Sequence, residues 1–181
     1  EVVDSIYISE PEPLSMEAFE LDWIDCYGAN DGLAAATAVG GTLPYVFDWK
    51  DSTGTVIATG DTINILTPGL HTVVVTDAKG CSTSDTVLTH EPTELVIEID
   101  DAQTILPYCV GVNTASLTGV ADGGTPGYTY EWDDNNNLPQ TTTTASALLA
   151  DNYNSSDSSY TITVTDAKGC TASVSTDTLR F

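Results

Sequence analysis

Four cysteines, two histidines and a large surplus of carboxylates are the residues of this chain that could do chemistry. The cysteines stand at Cys26, Cys81, Cys109 and Cys170. An even number at regular spacing suggests a disulfide framework and an oxidising or exported location. A nucleophilic thiol or a Ser-His-Asp triad would need a histidine converging on it. His71 and His90 lie in separate β-rich runs, and His71 shares a strand face with Val73 and Val75. That is the pattern of packing at a domain edge. The carboxylates are scattered through turns. No catalytic residues are expected, and the chain is read as not an enzyme.

Metal and sugar contacts are the remaining chemistries. Asp22, Asp25, Asn30 and Asp31 are hard oxygen donors near one another in sequence, and 133–137 (Asp-Asp-Asn-Asn-Asn) form a second such cluster. Neither has the spacing of an EF-hand loop, and Asn-Asp-Gly is also simply a good turn. Asp25, Asn30 and Asp31 stand as weak calcium candidates beside that solvated-turn reading, and no other cofactor is expected. Sugar binders present exposed aromatic rings. Trp23 and Tyr153 are the candidates, against the plainer reading of Trp23 as the edge of a small core.

The elements that must position these residues come in two copies. Thr76-Asp77-Ala78-Lys79-Gly80-Cys81 recurs as Thr165-Asp166-Ala167-Lys168-Gly169-Cys170. Each copy follows an alternating β-rich run, 71–75 or 160–164, and its Lys-Gly supplies a tight turn, because glycine accepts positive φ. The cysteine then opens a last strand. Gly40-Gly41-Thr42 recurs as Gly123-Gly124-Thr125, and Tyr45, Phe47 and Trp49 recur as Tyr128, Tyr130 and Trp132. A tandem array follows. The expected layout is a first repeat over 10–90 and a second over 91–181. The stray strand 1–9 would then be the last strand of a preceding repeat, in a fragment of something longer. The second repeat carries a polar insertion at 151–159.

Short strands, regular turn signals and a Trp in the third strand predict an all-β fold of two immunoglobulin-like sandwiches. Trp49 and Trp132 should fill the two cores, with Ala34 and Ala36 leaving room in the first. The formal net charge of −23 repels nucleic acid phosphates and anionic lipid headgroups. No apolar run is long enough to span a bilayer, so neither nucleic-acid binding nor membrane insertion is expected. A hydrophobic content of 41% argues against disorder.

Cys26-x-Gly-x-Asn30-Asp31-Gly32, Gly40-Gly41-Thr42-x-Pro44-Tyr45-x-x-x-Trp49 and Thr-Val-x-Val-Thr76-Asp77-Ala78-x-Gly80-Cys81 together resemble the SprB repeat. The resemblance covers nearly the whole chain. The second copy departs at 109–115, which lacks the Asp-Gly turn. SprB repeats occur in giant cell-surface adhesins of gliding Bacteroidetes. The resemblance implies a stalk segment exported across the outer membrane and attached to the cell surface. Its partners would be neighbouring repeats, surface polysaccharide, and the export and motility machinery of the envelope. The alternative is a sugar-binding accessory module of an exported polysaccharide-degrading enzyme.

Repeat symmetry pairs Cys26 with Cys81 and Cys109 with Cys170, one bridge per repeat, with free buried cysteines as the alternative. Each such bridge would contribute about 4 kcal/mol on chain-entropy grounds. Asp-Ser/Thr pairs resembling a Bacteroidetes O-glycosylation signal place candidate sites at Ser5, Ser52, Thr62, Thr86 and Thr178.

Overall fold

Period-two alternation of apolar and polar residues becomes β-strand throughout. The structure is a computed structural model that describes residues 6, 9–105, 114–133, 140–148 and 160–176. Among these residues every regular element is a strand. The chain divides into two compact units, 1–24 with 28–91 and 25–27 with 92–181. The stray segment 1–9 lies outside the described residues apart from Ile6, which is exposed, and Ser9.

The first unit contains β1 (Ser15–Asp22), β2 (Gly32–Val39), β3 (Val46–Lys50), β4 (Val56–Thr59), β5 (Thr62–Leu66), β6 (Gly69–Thr76) and β7 (Ser82–Thr89). They form two antiparallel sheets, β1-β2-β5 and β4-β3-β6-β7. Ala34, Ala36, Ile63 and Leu66 of one sheet pack with Trp49, Val73 and Val87 of the other. Trp49 is fully buried, and its indole N–H donates to the Gly60 carbonyl at 2.8 Å. A buried indole needs that partner. β1 stops at Asp22 rather than running to Ile24. Ile24 turns inward to bury its side chain, and its N–H donates to the His90 carbonyl at 3.0 Å. The Asp85 carboxylate on β7 accepts the Ala18 N–H of β1 at 2.9 Å. That bond satisfies an edge-strand donor that would otherwise invite pairing with another chain.

The second unit repeats the plan with β8 (Val96–Ile99), β9 (Ala115–Asp122), β10 (Thr129–Asp133), β11 (Thr144–Leu148), β12 (Tyr160–Thr165) and β13 (Thr171–Thr176). Its sheets are β11-β9-β8 and β10-β12-β13. Trp132 is fully buried and donates to the Thr142 carbonyl at 3.0 Å. Both units are immunoglobulin-like β-sandwiches, as expected, and both tryptophans sit at the core.

The disulfide expectation is corrected. Cys26 bonds Cys170, not Cys81, with Cα atoms 5.7 Å apart. Cys81 is free and exposed. Cys109 lies outside the described residues. The physical reason is local: the Lys168 ammonium, in the turn before Cys170, pairs with Asp25 Oδ1 at 2.6 Å and holds the neighbouring Cys26 at that hairpin.

The two cores exchange volume between matched positions. The second unit has Ile162 where the first has Val73, and Gly119 where the first has Ala36. A Cβ at Gly119 would stand 2.3 Å from Ile162 Cδ1 and 3.3 Å from Ile97 Cδ1. Ile162 is fully buried, so its Cδ1 can retreat only into close-packed core. Gly119→Ala is therefore expected to lower the stability of this unit by about 1–3 kcal/mol, the usual cost of overpacking. Ile162→Val in the same chain should restore most of the loss. Denaturant melts of the two single variants and the double variant check this, and additive losses would contradict the volume exchange.

Candidate functional site

The hexapeptide and the Gly-Gly-Thr motif converge on one side chain. Asp77 is buried at the end of β6. Its Oδ1 accepts the N–H groups of Lys79 (2.9 Å) and Cys81 (2.8 Å), across the turn into β7. Its Oδ2 accepts the N–H of Thr42 at 2.9 Å, from the loop before β3. The loop returns the contact, since the Ala78 N–H donates to the Thr42 carbonyl at 2.9 Å. Asp166 has the same arrangement: Lys168 and Cys170 at 2.9 Å on Oδ1, Thr125 at 2.8 Å on Oδ2.

Glycine is required where this carboxylate meets the loop. Gly41 and Gly124 adopt φ of 60°. A Cβ there would stand 2.9 Å and 2.7 Å from Asp77 Oδ2 and Asp166 Oδ2. The preceding glycines, Gly40 and Gly123, are closed off by the carbonyls of Pro13 and Glu94. Tyr45 and Tyr128 donate their hydroxyls to the carbonyls of Gly40 and Gly123. That explains a tyrosine at the head of each third strand. It is only half-buried, and its polar end braces the glycine turn.

Desolvation pushes the pKa of Asp77 and Asp166 up, and the surrounding backbone N–H groups outweigh it. Those of Cys81, Thr42, Lys79 and Gly80 hold Asp77 below the ordinary 3.8. Those of Thr125, Cys170, Lys168 and Gly169 do the same for Asp166.

The carboxylate thus fixes the cysteine that ends each turn. Cys170 Sγ is bonded to Cys26, and the Lys168 ammonium lies 2.6 Å from Asp25 Oδ1 beside it. Asp25, one of the calcium candidates, is thereby ion-paired. Asn30 and Asp31 are exposed. Among the described residues no three His, Cys, Asp or Glu side chains gather where a metal could be held.

The aromatic candidate Trp23 is 57% exposed and stacks on His90, with centroids 5.1 Å apart and planes at 25°. His90 Nδ1 lies 2.7 Å from Glu20 Oε2, and the His90 N–H donates to Glu20 Oε1 at 2.7 Å. Phe19 and Leu21, on the same alternating face of the first strand, are exposed as well. Tyr153 lies outside the described residues. His71 is buried, with Nε2 2.8 Å from the Thr67 carbonyl, as a packing role requires. Of the modification candidates, Ser52, Thr62 and Thr86 are exposed, while Ser5 and Thr178 lie outside the described residues.

Two stretches of the chain, residues 24–54 and 107–137, match the SprB repeat family. Both matched stretches are thus similar to the SprB repeat. No curated protein matches it. Among solved structures, the three N-terminal domains of the bacteriophage RB49 highly immunogenic outer capsid protein are similar at 18% identity and a TM-score of 0.52. That likeness covers 90% of this chain and 57% of the phage chain. The amphioxus IgVJ-C2 molecule is similar at 16% identity, TM-score 0.36, covering 91% of this chain and 96% of that one. At such identities the likeness concerns the fold alone. SprB-type repeats on immunoglobulin-like sandwiches suggest a non-enzymatic repeat or stalk module. The described residues include no helix long and apolar enough to cross a membrane.

The Asp cradle has a pH signature. A carboxyl whose folded pKa is depressed stabilises the fold above its unfolded value, here 3.8. That contribution is lost as pH falls through the lower folded value. Asp77→Asn and Asp166→Asn should each lower the midpoint of their own unit at pH 7. They should also flatten the stability change below about pH 4. Thermal melts from pH 2 to 7 measure both. An Asn variant with the parent's midpoint and acid profile would contradict the cradle.

Proposed function

We propose that the chain is a non-catalytic stalk segment of a large secreted cell-surface adhesin, serving surface attachment and gliding motility. The observation that carries this reading is the tandem occurrence of two SprB-type repeats on two sandwiches of one plan. In this reading the repeats run over 10–90 and 91–181, with 1–9 completing a preceding repeat. The role is mechanical: modules in series hold a binding end away from the cell and transmit force. An eight-residue strand such as β6 spans about 26 Å, so each module adds a few nanometres of reach. Neighbouring repeats are the principal partners, and the envelope's export and motility machinery places the chain outside the outer membrane. The exposed hydroxyls of Ser52, Thr62 and Thr86 are proposed O-glycosylation sites.

One observation favours a second reading, a sugar-binding accessory module. Trp23 offers an exposed ring stacked on His90. A glycan array with the purified chain separates the two. Flat binding, unchanged by Trp23→Ala, is the outcome expected of a stalk. A saturable signal lost on Trp23→Ala would contradict the stalk reading and favour the sugar-binding module.

A further inference from the structure

The first and last strands of the first unit lie side by side, yet β1 and β7 are edge strands of different sheets. Side chains make most of the join. The Asp85 carboxylate accepts the Ala18 N–H at 2.9 Å. Glu20 meets His90 twice, with the N–H on Oε1 and Nδ1 beside Oε2, both at 2.7 Å. Just past both strands the Ile24 N–H donates to the His90 carbonyl at 3.0 Å. There the Trp23 ring stacks on the imidazole, with centroids 5.1 Å apart. The Glu20 side chain is only 14% exposed, so water competes weakly for its oxygens. These contacts advance together along the two strands, from Ala18 to Ile24 on one and from Asp85 to His90 on the other. β1 and β7 therefore run parallel.

That direction decides how tension is carried. The chain enters β1 at Ser15 and leaves β7 at Thr89. In a parallel pair those two points lie at opposite ends. Tension between them slides the strands along each other and strains every joining contact at once. Tension applied at one end of the pair would instead peel the contacts open in turn.

We propose that Glu20, His90 and Trp23, with Asp85, form a shear clamp that sets how long the first sandwich survives under tension along the chain. The inference rests on the stalk reading above and assigns the resistance to named side chains. An exposed ion pair adds little to equilibrium stability. Forced unfolding is governed by the unfolding rate. A contact already broken in the transition state slows that rate by its full worth.

Force spectroscopy on single full-length chains tests the clamp. Handles are attached to azide-bearing residues in place of Glu12 and Glu94, or of Glu12 and Lys79, all exposed. Dithiothreitol keeps the Cys26–Cys170 bridge open, so tension runs along the backbone between the handles. The first pair of handles shears β1 against β7. The second pulls at one end of the two strands, because Lys79 stands just before β7, and peels them apart. At constant force the parent should survive longer under shear than under peeling. Glu20→Ala and His90→Ala should each shorten the shear lifetime by about tenfold. Both should leave the peeling lifetime unchanged. Equal shortening in the two directions would mark the cluster as ordinary packing and overturn the proposal. Shear lifetimes unchanged in both variants would overturn the clamp and leave the stalk reading standing. A parent that lasts no longer under shear than under peeling overturns both.

Discussion

A carboxylate removed from most of its water must take its hydrogen bonds from the protein, and Asp77 and Asp166 take theirs from two directions at once. One oxygen closes the turn between the last two strands of a sandwich. The other holds the loop that leads into the tryptophan-bearing strand. This bond set dictates much of the recurrent sequence around it. The glycines must lack a Cβ because the carboxylate or a carbonyl stands where it would be. The tyrosine hydroxyl stabilises the same glycine turn. The cysteine is held in place because its own N–H belongs to the cradle.

The strands and the core tryptophans were legible in the sequence, because period-two alternation and burial are local properties. Tyr45, Phe47 and Trp49 alternate in the chain and share a face in the structure, although only Trp49 is fully buried. The aspartate cradle was not legible. Asp77 reads as a turn residue, and its partner Thr42 lies 35 positions away. The signal was there as two motifs recurring together, Gly-Gly-Thr and Thr-Asp-Ala-Lys-Gly-Cys, without any local reason for the first. The cysteine pairing misled for a related reason. Repeat symmetry matches cysteines between copies but does not say whether the partner comes from the same copy or the one before. The Trp23–His90 stack joins residues from opposite ends of one unit, and neither one's spacing points to the other.

Among the described residues the buried polar side chains are the cradle aspartates, a packed histidine and threonines. The formal net charge of −23 favours solubility and disfavours polyanionic partners. The sandwich edge between the first and last strands of the first unit is closed by Asp85, which limits unwanted strand pairing. The single described disulfide closes a loop of 144 residues. On chain-entropy grounds a loop of that length stabilises by about 5 kcal/mol.

The carboxylate cradle is tested most directly by titrating the aspartates themselves. In a protein carrying carbon-13 at the aspartate carboxyl carbons, NMR from pH 6 to 2 follows each group separately, with Asp77→Asn and Asp166→Asn assigning the two signals. Both are expected to titrate below the ordinary 3.8, and the amide protons of Thr42, Lys79 and Cys81 should shift with the Asp77 transition. Titration of both groups at or above 3.8, with no response from those amides, would contradict the account.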